Sequence, residues 1–279
     1  MVNEKQIVFV GAGSMAESII AGLIADKIVS PEQITATNRQ DTDRLNHLKA
    51  TYGIHVTTTK EDAINGKDIV VLAMKPKNVV EGVRDIKKFT NKEQLFISVL
   101  AGTPTDYISE LLGHHSPVIR TMPNTSAKVG ASATAISAGK YASTDHVSLT
   151  EELFQAIGTV TVVPEEKLDA VTGLAGSGPA YIYYLVEAME QAGEDIGLEK
   201  EEAKELIVQT ILGAAKRLQS TSKTSTELYE EVMSPGGTTE AGLKVLSEYK
   251  FQEATTNAIK RATERSRELG RILTDTTTK

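Results

Sequence analysis

The chain has 279 residues, enough for two domains, and its 40% hydrophobic and 24% charged residues are the composition of a globular protein with a sizeable core. A formal net charge of −7 argues against a general nucleic-acid binder, and the absence of cysteine excludes disulfides, thiolate nucleophiles and cysteine-ligated zinc. The opening MVNEKQ lacks a signal-like n-region, and the weakly charged run 171–186 is broken by Gly173, Gly176, Gly178 and Pro179, so a cytoplasmic protein with no membrane or nucleic-acid partner is expected.

Up to Pro164, short β-branched runs alternate with helix-like segments. Strands are predicted at Ile7–Val10, Ile34–Thr37, Asp68–Ala73, Leu95–Val99, Val118–Arg120 and Thr159–Val163. Helices are predicted between them at Ser14–Ala25, Asp41–Thr51, Lys77–Lys87, Thr105–Leu112 and Val147–Ile157. Strand then helix, repeated, describes a doubly wound α/β domain with a parallel sheet. Beyond Pro164 the segments 165–173, 179–195, 200–219, 225–233, 239–248 and 250–272 are rich in Ala, Leu, Glu and Lys at helical spacing, with no convincing strand. The expected division is therefore an α/β domain over 1–164 and an all-helical domain over 165–279, with a frayed tail after Leu273.

The strongest local signal is Ile7-Val8-Phe9-Val10-Gly11-Ala12-Gly13-Ser14-Met15-Ala16, a GxGxxA fingerprint flanked by an apolar strand and a helical pattern. Gly11 allows the tight strand-to-helix turn, Gly13 lets backbone approach a pyrophosphate, and Ala16 permits close helix–strand packing. Free N–H groups at the helix start then face the phosphate charge. This makes the first domain a Rossmann-type fold with a dinucleotide cofactor.

Cofactor choice is read at the end of the second strand. An NAD enzyme usually carries Asp or Glu there; this chain has Thr37-Asn38-Arg39-Gln40, and its first acid, Asp41, suits the start of the next helix. Arg39 is either the partner of a 2′-phosphate or a solvated surface arginine, and Asn38 supplies a neutral contact. NADPH is expected, with NADH a weaker alternative. The loops Ala73-Met74-Lys75-Pro76, Leu100-Ala101-Gly102 and Arg120-Thr121-Met122-Pro123-Asn124-Thr125 follow later strands at the edge where open α/β sheets gather ligands.

Two motifs in the helical half stand out: Gly173–Tyr181, with Pro179 placed for a first helical turn, and Ser234-Pro235-Gly236-Gly237-Thr238-Thr239 leading into another helix. The second exposes N–H groups and hydroxyls beside a positive dipole end, which suits a small carboxylate; it also reads as an ordinary N-cap. The five histidines have no metal-ligand spacing, and no metal is expected.

In combination, Gly11–Met15, Ala73–Pro76, Arg120–Thr125, Asp169–Tyr181 and Ser234–Thr239 resemble, in order and spacing over about residues 6–272, the pyrroline-5-carboxylate reductases. The resemblance implies reduction of 1-pyrroline-5-carboxylate with NAD(P)H, the final step of proline synthesis. It implies a helical domain that forms an intertwined homodimer, in some members assembled into decamers. It places Val10, Gly11, Ala12, Gly13, Ser14, Met15, Asn38, Ala73, Met74, Lys75, Pro76, Leu100, Ala101 and Gly102 around the cofactor, with Asn38 standing where some members carry serine. It places Ser234, Gly236, Gly237, Thr238 and Thr239 around the substrate carboxylate, with Thr239 also reaching the ring nitrogen as the catalytic contact. Imine chemistry agrees with the residues. A protonated imine needs no strong side-chain acid, whereas the alcohol oxidation of the related β-hydroxyacid dehydrogenases uses a lysine on the first long helix of the second domain. The run Pro179–Glu190 has none.

Overall fold

The computed structural model describes residues 2–275. Eight strands form one sheet in the order β3-β2-β1-β4-β5-β6-β7-β8. They are β1 (Ile7–Val10), β2 (Ile34–Thr37), β3 (His55–Thr57), β4 (Ile69–Leu72), β5 (Leu95–Ser98), β6 (Val118–Met122), β7 (Ser132–Ala138) and β8 (Gly158–Val162). Six helices accompany them: α1 (Ser14–Ala25), α2 (Thr42–Tyr52), α3 (Lys60–Ile64), α4 (Val79–Ile86), α5 (Thr105–Leu112) and α6 (Thr144–Gln155). β1, β2, β4 and β5 are buried along their whole length, as strands covered on both faces must be. The side-chain period of two splits β1 between the two cores: Ile7 and Phe9 join Ile19, Ile20, Leu23 and Phe154 on one face, while Val8 and Val10 join Val70, Leu72, Val83 and Phe96 on the other.

The sheet departs from the all-parallel expectation at one end. β1 to β6 are mutually parallel, but β7 runs antiparallel to β6, pairing Ile119 with Ala138 and Met122 with Ala135. β8 then lies parallel to β7 and hence reversed relative to the first six strands. β7 and the short edge strand β3 carry no strong apolar run and went unanticipated, as did the five-residue α3. The start of β8 is locked by Gly158 at φ +145°, where a Cβ would lie 2.1 Å from the Ser132 carbonyl oxygen.

The second half is helical throughout, with no strand among its described residues. A short helix α7 (Leu168–Val171) continues through a π turn at Thr172–Gly176 into α8 (Gly178–Asp195). Then come α9 (Lys200–Gln219), α10 (Ser225–Val232), α11 (Thr238–Glu248) and α12 (Phe251–Asp275). Thr274 and Asp275, expected to fray, complete α12; the rest of the expected tail, 276–279, lies outside the described residues. No helix among those described is long and apolar enough to cross a membrane.

Composition changes at 164/165, whereas compactness changes elsewhere: residues 2–179 with 261–275 form one unit and 180–260 another. The reason is packing on the first unit. Leu168 is fully buried, the Ser266 hydroxyl donates to Asp169 at 2.7 Å, the Tyr107 hydroxyl donates to the Leu273 carbonyl at 3.2 Å, and a Cβ on Gly270 would meet the Gly102 carbonyl oxygen at 2.7 Å. Within the second unit only Gly193, Ala203 and Ile207 are buried. Helices α8 and α9 touch there, where a Cβ on Gly193 would stand 2.8 Å from that of Ala203. Ile182, Tyr184, Leu212 and Val232 on these helices, and Ile196 and Tyr249 in the turns that follow α8 and α11, stay exposed, apolar surface that calls for a cover.

Candidate active site

The first unit carries a cleft of about 640 Å³ at the carboxyl edge of β1, β2 and β4. Its floor is the β1–α1 turn. Gly11, at φ +113°, donates to the Thr37 carbonyl at 2.8 Å and lies so close to the next loop that a Cβ would be 2.5 Å from the Ala73 carbonyl carbon. α1 begins at Gly13 with no side chain capping it, so the N–H groups of its first turn have no intrahelical partner. A Cβ on Gly13 would meet nothing within 4 Å. An uncapped helix start behind open space fits a pyrophosphate.

The β2 side of the cleft is built by a local turn. Asn38 closes it, donating from Nδ2 to the Asp41 carbonyl at 2.6 Å and accepting the Asp41 N–H at 3.1 Å; Asp41 then caps α2 through the Arg44 N–H at 2.9 Å. Arg39 is paired with Glu81 of α4. Arg44 donates to the Ala12 carbonyl at 2.7 Å and pairs with Glu17. Burial raises the Glu17 pKa, but the hydrogen bonds from Arg44, His47 and Tyr52 outweigh it and hold the carboxyl below its ordinary range. Lys60, at the start of α3, reaches into the same corner, and burial depresses its pKa.

Of the expected cofactor residues, Val10 to Ser14, Asn38, Arg39 and Ala73 to Lys75 line this cleft. Met15 packs against the core, Pro76 opens a short 3-10 turn, and Leu100 to Gly102 turn towards α12, with Gly102 against Gly270. Arg44 and Lys60 were not anticipated. Each sits in a helical start where a solvated cation is the ordinary reading, and only the fold brings both to the cleft.

The motifs Arg120–Thr125 and Asp169–Tyr181 meet. Buried Arg120 lies 3.6 Å from Glu165 and 3.4 Å from Asp169, and Asn124 donates to the Ala175 carbonyl at 3.0 Å, tying the end of β6 to the π turn. The histidines have structural partners: His114 bonds Thr90 and Ser116, and His146 accepts the Ser143 N–H in a capping box. Burial lowers the pKa of both.

The turn Ser234–Gly237 lies wholly in the second unit and leads into α11. The Gly237 N–H donates to the Ser234 carbonyl at 2.9 Å, the Gly236 N–H to Glu240 Oε2 at 2.6 Å, and Gly237 leaves the helix start without a side-chain cap. Thr238 is exposed and Thr239 half-buried.

Comparison with known proteins agrees with both units. Residues 165–269 match the family model described as pyrroline-5-carboxylate reductase dimerisation, and residues 6–102 match that of coenzyme F420-dependent NADP oxidoreductases. Pyrroline-5-carboxylate reductase 2 of Bacillus subtilis is 45% identical over 265 residues, which cover 95% of either chain. The chain belongs to the pyrroline-5-carboxylate reductase family. Solved members of the family superpose on it. That of Coxiella burnetii does so with a TM-score of 0.87 at 38% identity over 96% of this chain and 99% of the other. That of Plasmodium falciparum, with NADP bound, gives a TM-score of 0.88 at 26% identity over 97% and 100%. The helical half is accordingly an oligomerisation domain, which accounts for the apolar side chains the second unit leaves exposed.

Proposed function

We infer that the protein reduces the C=N bond of 1-pyrroline-5-carboxylate to give L-proline, the last step of proline biosynthesis, with NADPH as the preferred hydride donor over NADH. In the same reading it works in the cytoplasm as a homodimer, extended in turn to a decamer. Its domains divide at 164/165, where the dimerisation model begins its match. The observation that carries the reading is the 45% identity to a reductase of that name over 95% of the chain.

The reduced nicotinamide, when bound, supplies a hydride to the imine carbon while the ring nitrogen takes a proton. The chain's own residues bind and orient. The first-turn N–H groups of α1 hold the pyrophosphate, with Val10–Met15, Ala73–Pro76 and Leu100–Gly102 around the cofactor. The turn of Ser234, Gly236, Gly237 and Thr238 holds the substrate carboxylate with preorganised donors. The Thr239 hydroxyl donates to the ring nitrogen or accepts from it, and orientation of two bound molecules provides most of the remaining rate. α8 runs GPAYIYYLVEAMEQAGED and offers no lysine as base for an alcohol.

Following NADPH absorbance with purified protein and pyrroline-5-carboxylate, and identifying proline as product, tests the reaction; no turnover despite tight NADPH binding would sink it. Thr239→Ala should lower kcat about tenfold, the scale of one hydrogen bond made in the transition state, with NADPH affinity unchanged. A loss of NADPH binding instead would take Thr239 out of that role. Because Arg39 is exposed and already paired with Glu81, Arg39→Ala should weaken NADPH only about threefold and NADH not at all. Equal weakening of both, read from titrations of nicotinamide fluorescence, would place Arg39 away from the 2′-phosphate.

A further inference from the structure

Of the three cations in the β2 corner of the cleft, Arg44 is committed to Glu17 and the Ala12 carbonyl, and Arg39 and Lys60 are in different states. Arg39 is exposed, and its guanidinium is engaged by Glu81. Lys60 is half-buried and held only by neutral acceptors: Nζ donates to the Asn38 carbonyl at 2.7 Å and to Thr37 Oγ1 at 3.1 Å. Among the described residues it has no carboxylate in ion-pair contact; Asp85, across the cleft, acts on it only through space. An ammonium has three N–H groups, so one donor is left over in the corner. Thr37 and Asn38 are the residues at which a dinucleotide fold reads the adenine ribose. A positive charge partly removed from water, with no anion in contact and with an unused donor, is a site that gains most from an incoming anion.

We propose that Lys60, rather than Arg39, is the specificity-determining residue for NADPH: anchored by Thr37 and the Asn38 carbonyl, it presents its free N–H and its charge to the 2′-phosphate. The inference rests on the reading of this cleft as the cofactor site. The geometry explains how a chain with no acid after β2 discriminates without relying on a flexible surface arginine. The two anchoring bonds fix the ammonium before the cofactor arrives, so little side-chain freedom remains to be lost on binding. Arg39, by contrast, must first leave Glu81.

The test compares 2′-phospho-ADP-ribose with ADP-ribose by calorimetry, and NADPH with NADH by fluorescence titration, on wild type, Lys60→Gln, Lys60→Arg and Arg39→Ala. Lys60→Gln should raise the Kd of both 2′-phosphorylated ligands about tenfold and leave the two that lack the 2′-phosphate within about twofold. Lys60→Arg should keep most of the discrimination, and Arg39→Ala should lose less than Lys60→Gln. Equal weakening of all four ligands by Lys60→Gln would mean that Lys60 merely braces the β2 corner, and unchanged affinities would mean that the phosphate is held elsewhere; either overturns the inference. Failure of the cofactor reading itself is distinguishable, because wild type would then bind none of the four.

Discussion

Gly11→Ala should cost the protein both stability and its cofactor, whereas Gly13→Ala, two residues on, should cost only the cofactor. At Gly11 the backbone sits at φ +113°, and an added Cβ would lie 2.5 to 2.6 Å from the backbone of Ala73 and Met74. Neither strand end can yield, because Gly11 is bonded to Thr37 and Ala73 to Val10. Backbone strain and overpacking together put the loss at about 3–5 kcal/mol, which lowers Tm by roughly 10 °C in a chain of this size. Gly13 has φ −75° and open space where its side chain would be. Alanine there is compatible with the backbone and changes stability by less than about 1 kcal/mol. Its methyl group, however, stands where phosphate oxygens must approach the α1 N–H groups, and NADPH affinity should fall at least about tenfold. Thermal melts of the two variants beside NADPH titrations separate the effects. A Gly13→Ala protein that binds normally would mean that the pyrophosphate does not enter over that turn.

Arg120→Met should destabilise the first unit by about 3 kcal/mol, measured by urea denaturation at neutral pH. Arg120 is buried to 5% exposure with its guanidinium between Glu165 and Asp169, and both acids are committed further: Glu165 accepts the Thr105 N–H at 2.8 Å and its hydroxyl at 2.6 Å, and Asp169 accepts the Ser266 hydroxyl. Without the arginine, two carboxylates face one another around a hole. The Arg120→Lys variant restores a charge but not a fork that reaches two acids, and should recover only part of the loss. A cost below about 1 kcal/mol for Arg120→Met would show that solvent, not Arg120, balances these acids.

The residues that announce themselves in the sequence are those whose partners are their neighbours. Ile7–Val10, the glycines and α1 are contiguous, so the cradle was legible down to the ends of α1. β7 was not, because its Ser132 and Thr134 are buried as hydroxyls that bond one another at 3.0 Å, with Ser132 also accepting the Asn124 N–H. Burial compensated by hydrogen bonds leaves no hydrophobic trace, and with β7 went the reversal of the sheet. Lys60 was silent for another reason: a lysine at a helix start is ordinary, and only the return of the chain from β3 brings it to Thr37 and Asn38. Leu100–Gly102 shows the converse. Its place after a strand is local and legible, but the approach of Gly102 to Gly270, a residue distant along the chain, is not something spacing reveals. The helices of the second half were readable from composition, but a face that needs a partner cannot be closed from within one chain.

The close approach of Gly102 to Gly270 also sets an order of events in the cell. Residues 2–179 can form their sheet as they leave the ribosome, but the helix that covers Leu100–Gly102 and Asp169 is made only after residues 180–260 have been synthesised. At roughly 5–20 residues per second that interval is on the order of ten seconds. Throughout it the nascent unit carries the buried Arg120 cluster without its Ser266 cover, a window in which chaperones or a premature stop would act on an unfinished domain.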